Sequence, residues 1–125
     1  IRGKPIGHYQ MIQHLIADMA VNIDAARLLV ERTGSFMDQG KKSSRATTRA
    51  KYVAVNAAKH AAASAAEIFA GYALADEYPI KKFTAYVNML AVGEGTPNVQ
   101  RVLIAEDALG IKDANRHPIR NRLRK

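Results

Sequence analysis

The chain has 125 residues, of which 48% are hydrophobic and 24% charged. That is enough apolar side chain for one folded domain with a modest core, and too much for a disordered segment. It contains no cysteine, which excludes disulfides, thiolate catalysis and cysteine-ligated metals. The net charge is +8, but the excess is concentrated at the end: residues 111–125 carry Lys112, Arg116, Arg120, Arg122, Arg124 and Lys125 against Asp113 alone. This reads as a folded unit over residues 1–110 followed by a solvated basic tail over 111–125, not as a basic face, so nucleic acid is not an expected partner. No apolar run is long enough to span a bilayer and no signal-peptide pattern opens the chain, so no membrane role is expected. The first residue is Ile and not Met, as in a processed chain or a fragment.

The opening "GKPIGHYQ" is punctuated by Gly and Pro. Beyond it Ile12, Ile16, Met19, Ile23, Ala26 and Val30 recur at steps of three and four, the apolar stripe of a first long helix. Gly34 is its expected stop, and "GSFMDQGKKSS" its connection to the next element. A second helix is expected from about Ser44 to Gly71, with Ala50, Ala54, Ala57, Ala61, Ala65, Ile68 and Tyr72 on one face. A face of alanines admits close approach by a neighbouring helix or a flat ligand. "GYALADEYP" reads as a loop, and Pro79 stands where a third helix begins. Ile80, Phe83, Val87 and Leu90 give that helix its stripe, and "GEG" ends it. Thr96 as N-cap and Pro97 at the first helical position start a fourth helix, which carries Val99, Val102, Leu103 and Leu109 and stops at Gly110. No strand pattern or internal repeat is present. The expected fold is all-α, an antiparallel four-helix bundle.

The chemistry concentrates in "VGEGTPNVQR", residues 92–101. Two glycines flank Glu94 and free the backbone to set its carboxylate at an angle a regular helix forbids. The start of the fourth helix offers unpaired N–H groups beside it. An acid next to such donors suits proton abstraction beside a carbonyl, the donors holding the developing enolate oxygen. An ordinary loop acid near a helix N-terminus has the same spacing. Elsewhere, His8, His14, His60 and His117 show no metal-ligand spacing and no adjacent carboxylate, so no metal is expected. Tyr52, Tyr72, Tyr78 and Tyr86 read as packing residues. Ser43 and Ser44 read as caps, since no base is placed for a nucleophile. There is no phosphate loop of the G-x-x-x-x-G-K type.

Four blocks, "GKPIGHYQMIQHLIADMA", "AARLL", "EIFAGYALADEYPI" and "EGTPNVQRVLIAEDALG", occur in order from Gly3 to Gly110. In them the chain resembles the C-terminal domain of the acyl-CoA dehydrogenase family, the last block being the most specific. The resemblance implies an FAD-dependent oxidation of an acyl-CoA thioester to the trans-2-enoyl-CoA, with the α-proton taken by a carboxylate and the β-hydrogen leaving as hydride to the flavin. Glu94 falls at the position of that catalytic base, and Gly93 and Gly95 lie beside the bound substrate. Thr96 and Asn98 fall where the family contacts FAD. Glu67 and Gly71 fall in the stretch that reaches the FAD of a neighbouring subunit. The resemblance further implies a homotetramer or dimer built through the bundle, electron-transfer flavoprotein as acceptor, and a location in the bacterial cytoplasm or mitochondrial matrix. The family has two further domains ahead of this one, so the chain alone is expected to bind FAD poorly and not to turn over.

The sequence departs from the family pattern at several of these places. Arg2 replaces a usual Phe, and Ala85 and Tyr86 replace an Arg-Asp pair. Gly93 replaces an aromatic residue, and Glu67 a Gln. Ala70 stands for the first Gly of a pair, and Ala73 and Leu74 for a Gly-aromatic pair. Glu67 puts a negative charge where a neutral amide faces flavin, and Gly93 loosens the pocket beside Glu94. These departures and the basic tail motivate an alternative expectation: a non-enzymatic or regulatory relative that binds DNA or a partner through its C-terminal region.

Overall fold

In the computed structural model, which describes residues 1–41 and 43–111, every regular element is helical. Helix α1 spans Gln10–Asp38, α2 Ser44–Phe69, α3 Ile80–Val92 and α4 Pro97–Leu109, with short 3-10 turns at Ile6–His8 and Ala70–Leu74. The expected basic tail lies outside the described residues, apart from Ile111. No described helix is long and apolar enough to cross a membrane.

The alanine stripe makes α2 the common neighbour of the other three helices. Its contacts give the direction of each. Thr33 Oγ1 on α1 donates to Leu29 O at 2.8 Å and reaches Ala46 O at 3.4 Å near the start of α2. At the far end Ile12 and Leu15 share an apolar pocket with Ile68, so α1 and α2 form an antiparallel hairpin. Helix α3 starts beside the end of α2, where Tyr78 packs edge-on against Phe69 with ring centroids 5.1 Å apart. It finishes near Lys51, whose ammonium bonds the Gly93 carbonyl. Helix α4 then passes over the first part of α2: Arg101 Nε donates to Tyr52 OH at 3.2 Å, and Asp107 pairs with Arg45 and Arg49. Thus α3 and α4 lie one after the other along α2.

The helix ends follow backbone chemistry. Ser43 Oγ accepts from the Ala46 N–H at 3.2 Å and caps α2, and Thr96 Oγ1 accepts from the Val99 N–H at 3.4 Å to cap α4. Gly110, at φ 68°, ends α4, with the Ile111 N–H on Glu106 O and the Gly110 N–H on Asp107 O. The expected stop at Gly34 is corrected: α1 runs four residues further, to Asp38. The same two-bond closure occurs at Gly40, at φ 71°, with Lys41 N–H on Phe36 O and Gly40 N–H on Met37 O. A glycine inside a helix costs only about 1 kcal/mol against alanine, too little to stop α1 at Gly34, and the carbonyls of the last turn are capped at Gly40 instead. Helix α2 ends at Phe69 and not at Gly71; the expected loop begins as the 3-10 turn Ala70–Leu74.

Among the described residues the buried apolar set is Ala26, Ala46, Ala50, Ala57, Ala73, Ala91 and Ile80. Only Ile80 is larger than a methyl group. Buried methyls contribute about 0.8 kcal/mol each, so this core is thin. Large apolar side chains instead face outward, including Met11, Val21 and Leu28 on α1 and Phe83, Met89 and Leu90 on α3. An apolar groove of about 820 Å³ between α1, α2 and α3 is floored by Ala54, Ala57, Ala61 and Ala65 and walled by Met19, Ile23, Phe83 and Val87.

Candidate active site

The turn between α3 and α4 is built from three successive backbone states. Gly93 closes α3 in an extended conformation, φ −68° and ψ 138°. Glu94 is left-handed, at φ 51°, and Gly95 has φ 109°. Of the two flanking glycines, only Gly95 occupies a conformation that demands glycine. A Cβ at Gly93 would sit 3.7 Å from Met89 O, an ordinary contact. The expectation that both glycines free the backbone is therefore corrected to Gly95 alone, and Glu94 itself takes the second unusual conformation.

The carbonyls of this turn are tied to the protein. Lys51 Nζ, from α2, bonds the carbonyls of Gly93 and, at 3.3 Å, of Gly95. Gln100 is buried and its Nε2 donates to Gly95 O at 3.0 Å. The N–H groups of Glu94, Gly95, Thr96 and Asn98, by contrast, make no hydrogen bond among the described residues. They cluster at the N-terminus of α4, where the helix dipole favours negative charge. Glu94 is exposed, and its carboxylate has no ion pair or hydrogen bond among the described residues. The 820 Å³ groove is not lined by Glu94; it lies further along α2.

Thr96 and Asn98 are both exposed on the first turn of α4. Asn98 Oδ1 accepts from Arg101 Nη1 at 3.1 Å, which leaves the amide nitrogen uncommitted. Arg101 also lies over the Tyr52 ring, 5.5 Å from its centroid. The hydrogen bond from Arg101, then one with Asn56, holds the Tyr52 phenol below its usual value of 10.0. Lys51, Arg101 and the helix N-terminus thus make the surroundings of Glu94 electropositive.

Glu67 and Gly71 are at the other end of α2. Sixteen residues separate Lys51, which touches the Glu94 turn, from Glu67, about 24 Å at 1.5 Å per residue. Glu94, Gly93, Gly95, Thr96 and Asn98 are therefore brought together, while Glu67 and Gly71 stand apart from them within one chain. Glu67 is exposed and borders an apolar hollow with Ile68, Ile6 and Tyr9. Gly71 is exposed beside Ala70, which holds the unusual φ 49°, ψ −128°.

Lys51, Gln100 and Arg101 are neighbours of the candidate residues to which spacing assigned no role; Lys51 and Arg101 find their partners 42 and 49 residues away, and Gln100 bonds Gly95 O from inside α4. The histidine reading needs one correction: Asp18 lies one helical turn from His14, 3.7 Å from its Nε2, on the exposed face of α1. Among the described residues no group of three or more metal-ligating side chains forms.

Comparison with known proteins matches this geometry to one family. Residues 1–109 fit the family model "Acyl-CoA dehydrogenase, C-terminal domain". The chain is 38% identical over 115 residues to the glutaryl-CoA dehydrogenase of Desulfococcus multivorans, covering 91% of this chain and 30% of that protein. A solved glutaryl-coenzyme A dehydrogenase in complex with glutaryl-CoA superposes with a TM-score of 0.84 at 37% identity, over 91% of this chain and 29% of that one. The FAD complex of PigA gives 0.80 at 25% identity, over 87% and 28%. The chain thus spans under a third of the length of these relatives. With its fold and its whole described helical unit accounted for, the chain belongs to the acyl-CoA dehydrogenase family, as a C-terminal domain.

Proposed function

We propose that this domain serves, within a longer protein, an FAD-dependent acyl-CoA dehydrogenase in which Glu94 is the base. The observation that carries the reading is the α3–α4 turn. It presents one carboxylate, on a residue with left-handed backbone, beside four N–H groups that make no hydrogen bond among the described residues, in an electropositive setting. In this reading the Glu94 carboxylate takes the α-proton of the thioester. The nearby backbone N–H groups hold the thioester oxygen as negative charge develops on it, and exclusion of water by the bound acyl chain strengthens both interactions.

The chain's residues fit a flavin at two places. Near α4, Thr96, the free amide nitrogen of Asn98 and the helix N-terminus offer donors to a phosphate-bearing cofactor. At the far end of α2, Glu67 borders an exposed apolar hollow, and exposed Gly71 follows the end of the helix. The roughly 24 Å between these places fits contact with two cofactors held by two subunits, the second reached across an interface made by this domain. When bound, FAD supplies the acceptor for the β-hydrogen. The thin core and the outward apolar faces of α1 and α3 fit burial against other subunits and other domains of the same protein,. Electron-transfer flavoprotein is the proposed acceptor and the cytoplasm or mitochondrial matrix the proposed location.

The test is to purify the full-length protein with FAD and add a panel of acyl-CoAs, recording the flavin's long-wavelength absorbance. Bleaching by one class of acyl-CoA is expected, and names the substrate. A protein that retains FAD and is bleached by none would overturn the reading.

A further inference from the structure

We propose that Lys51 is a positioning residue that holds the Glu94 turn in its working shape. The proposal rests on the reading of Glu94 as base. Its ground is a contact that spans 42 residues of sequence: Lys51 Nζ donates to both the Gly93 and Gly95 carbonyls, the two that straddle Glu94.

The turn has a reason to need such a clamp. Glu94 at φ 51° occupies a region that non-glycine residues seldom take, and Gly95 at φ 109° is further from any regular structure. For a non-glycine residue such as Glu94 this state costs free energy and persists where surrounding contacts over-determine it. Neither the Glu94 nor the Gly95 N–H contributes, since neither is bonded among the described residues. The fixing comes from the carbonyl side, through Lys51 on α2 and the buried Gln100 on α4. This division has a chemical consequence. Tying down the carbonyls leaves the N–H groups available to a ligand, as an oxyanion site requires.

Lysine suits the task because one ammonium carries three donors and can bridge two carbonyls at once. It stands on the long α2, so the turn is referenced to the helix that the other three pack against. Its charge adds to the positive potential around Glu94 without contacting the carboxylate, and no ion pair joins Lys51 to Glu94. Lys51 is accordingly not a catalytic residue here. It acts through the backbone of the turn.

The experiment uses the full-length holoprotein with Lys51→Met and Lys51→Arg, and reads hydrogen exchange of the 93–96 amides together with kcat, KM and FAD content. K51M is expected to keep its FAD and thermal midpoint, to speed exchange at 93–96, and to lower kcat about 10- to 100-fold with KM nearly unchanged. K51R, which retains charge and donors, should restore most of both. Unchanged exchange at 93–96 in K51M overturns the proposal. So does a fall in kcat that tracks loss of FAD or of the fold. If K51M does not accumulate as holoprotein, Lys51→Gln, too short to bridge both carbonyls, carries the same expectation. Should the wild type turn over no acyl-CoA, the dehydrogenase reading fails, and the exchange of 93–96 still decides whether Lys51 holds the turn.

Discussion

Asp107 of α4 lies 2.7 Å from Arg49 of α2, Oδ2 to Nη2, and its other oxygen is 2.8 Å from Arg45. The carboxylate is the shielded partner, with 11% side-chain exposure, while the arginines are 42% and 61% exposed. This ionic tie joins the last turn of α4 to the first turns of α2. Replacing Asp107 by Asn leaves two guanidinium groups facing a neutral amide. The expected cost is about 1–2 kcal/mol, between the values for surface and buried pairs. It would show as a fall of a few degrees in the thermal midpoint of the holoprotein. Arg45→Ala should cost less, because Arg49 remains. An unchanged midpoint for D107N would mean that the pair does not hold α4.

Ala70 is the clearest point of backbone strain. At φ 49°, ψ −128° it holds a conformation that suits glycine, with its Cβ crowded against its own peptide,. Ala70→Gly should relieve about 1 kcal/mol net of the added freedom of the unfolded chain. The thermal midpoint is expected to rise by a few degrees. A fall would show that the Ala70 side chain contributes packing that outweighs the strain.

The two glycines beside Glu94 should respond differently. Gly95→Ala places a Cβ at φ 109° and is expected to distort the turn, costing about 1–3 kcal/mol locally and lowering kcat,. Gly93→Ala meets only Met89 O at 3.7 Å and should leave the midpoint within about 0.5 kcal/mol of wild type,. Measuring both midpoints and both kcat values checks the assignment. Equal effects would contradict it.

Glu67 puts a full negative charge on the rim of the hollow at the end of α2. Glu67→Gln removes that charge with almost no change in shape. If Glu67 faces a neighbouring subunit's flavin, FAD should dissociate several-fold more slowly from E67Q, consistent with an exposed charge contact of at most ~1 kcal/mol. The measurement is flavin release on dilution, and an unchanged rate would remove Glu67 from the flavin site.

Much of the fold was legible because period and punctuation agreed. The stripe from Ile12 to Val30, the Ala50 to Ala65 face, the Thr96–Pro97 start and the Gly110 stop all follow from local rules that tertiary contacts reinforce. Gly34 misled because a glycine can sit inside a helix at ordinary φ, whereas Gly40, at positive φ, follows its true end. Gly93 does close α3, but in an extended conformation that any residue adopts, so it misled as a source of backbone freedom. Of the candidate site, the contiguous stretch from Gly93 to Asn98 was legible as a turn and a helix start. Lys51, Gln100 and the Arg45–Arg49–Asp107 cluster were not, since a solvated lysine and one that bridges two carbonyls 42 and 44 residues away look alike in sequence. The laying of α3 and α4 end to end along α2 also depends on such long-range pairs.

The role of Glu94 as base is decided by the full-length protein carrying Glu94→Gln. The variant should bind FAD and acyl-CoA as wild type does, while the rate at which acyl-CoA bleaches the flavin falls by roughly 10²- to 10⁴-fold, the range for loss of a positioned base. Bleaching at close to the wild-type rate would mean that another residue takes the α-proton and that the α3–α4 turn only shapes the pocket.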